Sequence, residues 1–417
     1  MSEVICTGGI CTACGACENI CPKQCVRREN TVSSITMLKG DSCIGCGLCE
    51  KVCPGNGEPI VNEPTTAYAA HSSDADTRDK SASGGIASTL YKYCIEQGYT
   101  VVGAELGADY ECRLRIADQL DQIIGFQNSK YTYSFADRVY REVKDKLDDG
   151  KAVFFIGLPC QVAAVRSYLK TAKTNTDRFI AADIICHGTP HPDYLPEHVR
   201  AIANRDGFKA GSVFFRDPKY KTSKYAFTIY DESIFAESKF AEASPKYKKY
   251  VEDDDLYQIG YHSALIYRDA CYSCKYAQLS RGGDLTFGDY HVKSVDDCDI
   301  DTEKKSLILV NTEKGQELLQ QAIKAGMVDA IERPVEEPKQ GEPQLRHPSV
   351  AGPERAVFIR EYETAHDFDQ AASIAFKKIV TRRRLKIDKI IFNAKMAVKK
   401  IVPKSAYKKA KKMIKGS

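Results

Sequence analysis

Residues 11–22 read CTACGACENICP, and residues 43–54 read CIGCGLCEKVCP. Both follow Cys-x2-Cys-x2-Cys-x3-Cys-Pro, the run of bacterial two-cluster ferredoxins. Three thiolates on one tight loop reach three corners of an iron–sulfur cube. Gly15, Gly45 and Gly47 permit the backbone to turn close to the sulfurs. The fourth cysteine of each run serves the other cluster. The spacing therefore predicts one [4Fe–4S] cluster on Cys11, Cys14, Cys17 and Cys53, and a second on Cys43, Cys46, Cys49 and Cys21. The competing reading is zinc, which favours paired CxxC units. A doubled four-cysteine run closed by proline fits that poorly. Cys6 and Cys25 fall outside the pattern and read as spare buried thiols.

Outward from these runs, residues 1–62 form a module rich in Cys and Gly, the composition of a small domain held by metal. The chain has 417 residues and 17 cysteines, and ten of those lie between positions 6 and 53. The N-terminus shows no basic region followed by an apolar run, so no export signal is read there. That many cysteines in a chain without such a signal point to metal or catalysis rather than disulfides. No stretch approaches the roughly 20 apolar residues of a membrane span. The expectation is a cytoplasmic protein. Net charge is +4 but unevenly spread: residues 377–417 carry +15 and the rest −11.

Residues 63–80 are polar and read as a linker. Beyond them the pattern changes. A helix is expected over 86–97, a strand over 100–106, a charged helix over 134–147, a buried strand over 152–156, a short helix over 161–169 and a second buried strand over 179–186. Strands alternating with helices predict a mostly parallel, covered sheet. After residue 192 the pattern is mixed, with strands over 212–216, 225–230 and 307–311 and a helix over 315–325. The domains expected are 1–62, the two halves 81–192 and 193–345 of one larger domain, and an extension, 346–417. The fold class is α+β to α/β: a bacterial ferredoxin-like module, a mixed α/β domain and a basic helical tail.

Four segments of the larger domain look chemical. Ser81-Ala82-Ser83-Gly84-Gly85 opens a helix, where small residues let backbone N–H groups approach a phosphate; the same residues also serve as plain caps. Gly157-Leu158-Pro159-Cys160-Gln161 and Asp183-Ile184-Ile185-Cys186-His187-Gly188 end buried strands, where ligands collect in open α/β sheets. Cys271-x2-Cys274 precedes Arg281-Gly282-Gly283-Asp284-Leu285-Thr286-Phe287-Gly288-Asp289-Tyr290.

In this order the segments resemble the coenzyme F420 hydrogenase/dehydrogenase beta-subunit family over about residues 80–345. The resemblance implies an iron–sulfur flavoprotein that binds FAD. Its relatives include chlorophyll-pathway reductases and proteins tied to polysaccharide synthesis. By the same resemblance, Ser83, Gly84 and Gly85 approach the FAD pyrophosphate, and Ser129 and Lys130 lie in a flavin-proximal loop that otherwise reads as a surface turn. Cys160, Cys186, Cys271 and Cys274 hold a third [4Fe–4S] cluster; the alternative is a redox dithiol or an idle CxxC. Asp284 and Asp289 shape the flavin pocket, or else a turn. His187, with Lys130, is the candidate for proton transfer; its plainer reading is a structural histidine.

The tail repeats apolar residues at Ile387, Ile390, Ile391, Ala394, Val398 and Ile401, a helical period with Lys and Arg on the other face. This suits the inner face of a membrane or an acidic partner; a solvated tail reads equally well. Nucleic acid is not expected, since no aromatic platform accompanies the charge. The expected function is a ferredoxin- or F420-linked oxidoreductase. Electrons from reduced ferredoxin or another redox protein cross the clusters to FAD and reach an organic substrate or deazaflavin. The alternative is a non-catalytic electron-transfer subunit of a redox complex or polysaccharide-synthesis system.

Overall fold

The computed structural model describes residues 3–220, 225–233, 243–291 and 304–387. The basic amphipathic pattern from Ile390 onward therefore lies outside the described residues.

The N-terminal module has pseudo-twofold form. Helix α1 (Ala16–Ile20) and helix α2 (Leu48–Val52) each start on a left-handed glycine, Gly15 (φ 81°) and Gly47 (φ 70°). Between them β1 (Val26–Asn30) pairs antiparallel with β2 (Ile35–Lys39). The module has no separate core. Ile35, Met37, Cys49 and Val52 pack in one apolar cluster with Tyr133, Tyr140, Val162 and Val165 of the larger domain. Tyr140 donates its hydroxyl to the Cys14 carbonyl (2.7 Å), and Ser167 donates to that of Val52 (2.7 Å).

The larger domain is built on a nine-stranded sheet. In chain order its first strands are β3 (Thr66–Ser72), β4 (Thr100–Leu106), β5 (Cys112–Ala117), β6 (Ser134–Phe135), β7 (Val153–Gly157) and β8 (Phe179–Ile184). A separate antiparallel sheet holds β9 (Ala210–Phe214), β10 (Ala226–Asp231) and β11 (Tyr247–Tyr250). The large sheet is completed by β12 (Leu285–Asp289), β13 (Ser306–Val310) and β14 (Val328–Arg333). Its spatial order is β14-β3-β13-β12-β8-β7-β4-β5-β6. Helices α3 (Ala75–Asp79), α4 (Ile86–Glu96), α5 (Val139–Asp148), α6 (Pro159–Thr171) and α7 (Tyr194–Asp206) follow their strands.

Three sequence expectations change. The sheet is mixed rather than mostly parallel. Only the run β12-β8-β7-β4 and the pair β5-β6 are parallel; β4-β5 and the side β12-β13-β3-β14 are antiparallel. The turn from Gly107 to Glu111 is too short for a crossover, so β4 and β5 must pair as a hairpin. Residues 66–72, read as linker, form β3 inside the sheet. Their small residues Ala67, Ala69 and Ala70 are wholly buried between β13 and β14, which a polarity count does not register. The extension past 346 is also partly core. Phe358, Phe368, Ala371, Ala372 and Phe376 pack on Tyr194, Phe227 and Tyr257.

His198 of α7 is buried in that core, with Nε2 3.0 Å from Asp255 and Nδ1 2.8 Å from Asp369. Burial opposes its charge, but Asp255 and Asp369 outweigh burial and push its pKa up to about 10. A raised folded pKa gives stability that is complete below the unfolded value, about 6.5. That stability is lost as pH climbs through about 10. The denaturation midpoint is expected to fall across this window. His198→Gln should start lower and decline less steeply; equal slopes would contradict the triad.

Candidate functional site

The eight cysteines of the two runs separate into two sets in space. Cys11, Cys14, Cys17 and Cys53 line one cavity of about 340 Å³. Cys21, Cys43, Cys46 and Cys49 line another of about 410 Å³. The crossing follows from the helix ends. Both α1 and α2 stop on a cysteine in extended backbone (Cys21 ψ 116°, Cys53 ψ 115°), which carries that thiol to the opposite cavity. Backbone N–H groups face the first thiol of each run, Ala13 to Cys11 (3.3 Å) and Gly45 to Cys43 (3.4 Å). Cys46 is exposed, so the second cavity reaches the surface, while the first faces the larger domain, where Tyr140 holds the Cys14 carbonyl. Among the described residues no three His, Cys, Asp or Glu close on a single ion. The thiols instead ring an open volume, as the corners of a cube require. Cys6 and Cys25 also stand at these walls. Cys6 is buried in the first; Cys25 is half-buried in the second, its sulfur 3.6 Å from that of Cys21.

A third cavity of about 550 Å³ gathers Cys160, Cys186, Cys271 and Cys274. They come from the start of α6, the exit of β8 and the short helix Asp269–Tyr272 with the turn after it. Burial pushes the Cys160 and Cys274 thiols up, and that of Cys186 up to about 12. A nucleophilic dithiol needs the opposite shift. Metal binding deprotonates such thiols as part of its own free energy. Thr12 belongs to the walls of both this cavity and the first.

A fourth and larger cavity, about 1520 Å³, opens above the strand ends. Leu158 and residues 186–189 form a partition that lines both it and the third. Ser83 and Gly85 (φ 85°) stand in its wall where α4 begins. Ser129 and Lys130 line it from the loop after Phe126. Lys130 donates to the carbonyls of Gln127 and Asn128, and burial pushes its pKa down to about 8. The side-chain oxygen of Asn128, also in the wall, is buried without a hydrogen-bond partner among the described residues. Tyr131 and Tyr261 stack there, centroids 4.5 Å apart and 14° from parallel. At one end Arg216 pairs with Asp289 (2.6 Å). Glu342, 4% exposed, lies 3.3 Å from His291 and 4.0 Å from His187. Burial and then Asp289 push Glu342 up to about 7, while burial pushes His187 down.

Residues 67–139 match the N-terminal model, and residues 150–335 the C-terminal model, of the coenzyme F420 hydrogenase/dehydrogenase beta-subunit family. Residues 10–57 match the model of a 4Fe-4S dicluster domain. The chain belongs to this beta-subunit family. It is an iron–sulfur protein of a redox family. Among solved structures, a chain of the F420-reducing [NiFe] hydrogenase complex from Methanosarcina barkeri aligns at 17% identity, covering 80% of this chain and 94% of that one, with a TM-score of 0.42. No curated protein matches.

The family motifs divide between cavity wall and scaffold. Ser83, Gly85, Ser129, Lys130, His187 and Asp289 all face the fourth cavity. Gly84 does not. Its N–H is taken by Ser306 Oγ (3.0 Å), and an added Cβ would sit 2.6 Å from the Ala70 carbonyl oxygen and 2.8 Å from the Ser306 nitrogen. Gly84 thus lets α4 close onto β3 and β13. Asp284 also stands apart. It accepts from Arg166 (2.8 Å), the Ala181 N–H (2.8 Å) and Thr312 (2.8 Å), so it ties β8 to the helix Glu313–Lys324. The sequence reading missed Arg216, Tyr261, His291, Glu342 and Asn128. Each is a lone residue, and no local pattern marks it.

Proposed function

We propose that this chain is a flavin-dependent iron–sulfur oxidoreductase. The observation that carries the reading is the series of cavities. The surface cavity at Cys46 adjoins the inner one across α1 and α2. That one shares Thr12 with the four-cysteine cavity, which shares its partition with the largest. Clusters in the first three and FAD in the last would supply single-electron passage and the conversion of single electrons to pairs.

The residues suit those groups. Four thiols around one volume fit a third [4Fe–4S] cluster on Cys160, Cys186, Cys271 and Cys274. In the large cavity the positive end of α4, beside Ser83 and Gly85, and the ammonium of Lys130 attract a pyrophosphate. The buried Asn128 oxygen, unpaired among the described residues, would accept a hydrogen bond from a bound group with an N–H donor, as a flavin has. The Tyr131–Tyr261 pair offers a flat apolar face. Glu342, raised toward neutrality by burial and Asp289 and set beside His187 and His291, is the group in this cavity that would exchange a proton with a bound substrate. Lys130 is bound to its own loop carbonyls, so anchoring suits it better than proton transfer.

In this reading reduced ferredoxin or another redox protein docks at the exposed Cys46 edge, and an organic substrate or deazaflavin enters the large cavity. The cytoplasm is the compartment that suits such donors. Among the described residues no helix is long and apolar enough to cross a membrane. The test is protein purified without oxygen, denatured, with released flavin identified by mass. About one FAD per chain is the expected result. Brown protein with intact clusters and no flavin would leave only an electron relay.

A further inference from the structure

Arg268 is 2% exposed and lines the four-cysteine cavity. Its guanidinium donates to Thr189 Oγ1 through Nε (3.1 Å) and Nη2 (2.9 Å) and to the Thr12 carbonyl through Nη1 (2.8 Å). Its carbon lies 4.4 Å from the centre of the Tyr133 ring. All these partners are neutral. Among the described residues no carboxylate pairs with it. Other arginines of the interior differ: the equally buried Arg281 has Asp183 at 2.8 Å, and the partly buried Arg216 has Asp289 at 2.6 Å. An arginine keeps its charge in any protein interior, and an unpaired buried charge is strongly unfavourable. The fold therefore supplies a cation in the interior with no anion among the described side chains.

The position of Arg268 says what that anion is. Thr12, which it holds, follows the cluster ligand Cys11 and lines the first cavity. Cys271 lies three residues further along the chain. The guanidinium thus stands between two rings of four cysteines. A cluster with four thiolates is an anion, and each electron it takes adds one more negative charge. We infer that Arg268 is the shared counter-charge of the inner N-terminal cluster and the cluster at Cys160, Cys186, Cys271 and Cys274, favouring the reduced form of both and matching them for electron passage. For the third cluster this rests on the function proposed above; for the inner cluster it rests only on the dicluster domain. A fixed positive charge attracts the more negative, reduced state, so removing it lowers the reduction potential. Burial keeps salt from screening the effect.

The test compares Arg268→Gln, which keeps amide donors but no charge, with Arg268→Lys, which keeps charge but not the planar fork. Full-length protein purified without oxygen is assayed for iron and titrated with reductant while the cluster signals are followed by EPR. Arg268→Gln is expected to shift the one-electron reduction equilibrium of both neighbouring clusters at least tenfold toward the oxidised form, about 59 mV. Arg268→Lys should shift it much less. The Cys21–Cys43–Cys46–Cys49 cluster, whose cavity is lined neither by Arg268 nor by Thr12, which Arg268 binds, is the internal control. Loss of about four irons from Arg268→Gln alone would support the same conclusion. Equal effects of the two variants, or none in Arg268→Gln, would overturn it and leave Arg268 a tether. Wild-type protein with about eight irons per chain would remove the third cluster and the function built on it. The Arg268 inference would then be decided on the inner cluster alone.

Discussion

Cys160→Ala protein purified without oxygen is expected to hold about eight irons per chain where the wild type holds about twelve, and to keep its flavin. Cys160 opens α6 on the third cavity and takes no part in the wall of the fourth. Its loss therefore removes one of four thiols without touching the candidate flavin contacts. Alanine is chosen because serine offers a substitute oxygen ligand. The second expectation concerns rate. The N-terminal clusters should still be reduced by ferredoxin, but reduction of the flavin should fall to the unmediated background, because the third cavity is the only one that adjoins both sides among the cavities described. Rapid-mixing absorbance at the flavin band separates the two processes. Unchanged iron would show that Cys160 is not a ligand. Lost iron with flavin reduction at the wild-type rate would show that electrons bypass this cavity.

Asp183→Ala is expected to destabilise the protein by about 3–5 kcal/mol, the range for removing one partner of a buried ion pair. Asp183 is fully buried at the end of β8. Its Oδ1 accepts from Arg281 Nε (3.0 Å), Arg281 Nη2 (2.8 Å) and Thr286 (2.8 Å), and its Oδ2 from the Gly283 N–H (3.0 Å). The same Arg281 donates to the carbonyls of Tyr276 (3.0 Å) and Gln278 (3.3 Å), so it clamps the turn after Cys274 to the sheet. Alanine leaves that guanidinium buried and uncompensated. A domain of ordinary stability has only about 5–15 kcal/mol to lose. The measurement is the denaturant midpoint followed by circular dichroism, with iron counted on the same samples. Retention of the third-site iron and a loss below about 1 kcal/mol would show that the pair is not what holds this loop.

The comparison of Asp284 with Asp289 shows where sequence reading stops. Asp284 precedes and Asp289 ends the same five-residue strand, and each follows a glycine in one motif. At about 3.3 Å per residue the strand separates them by roughly 16 Å. One end meets α6 and the β8 backbone, the other meets Arg216 and the large cavity. No property of the segment itself marks which end is the open one. Gly84 and Gly85 divide in the same way. One gives its N–H to Ser306, and the other faces the cavity in a left-handed conformation.

The ferredoxin module was legible because its chemistry is local. A cube bound by three thiols of one tight loop forces the spacing of those thiols, and the proline and glycines beside them follow from the same geometry. The parallel centre of the sheet was legible too, since the buried strand β7 is apolar throughout and β8 is apolar up to Asp183. The order of the family motifs carried the larger domain. Other features depended on partners distant in the chain. β3 is a strand because β13 and β14 flank it, although its own residues are mostly small and lie in a polar stretch of sequence. Phe358 and Phe368 are core because α7 and β10 offer them a surface. Arg268 is a cation without a carboxylate among the described residues because folding brings Thr12, Thr189 and two rings of cysteines around it. Sequence by itself determined which cysteines belong to the N-terminal cluster runs, because short covalent spacing restricts them. Tertiary structure alone decided how the four cavities adjoin and which charges are left unpaired between them, because those depend on contacts between residues hundreds of positions apart.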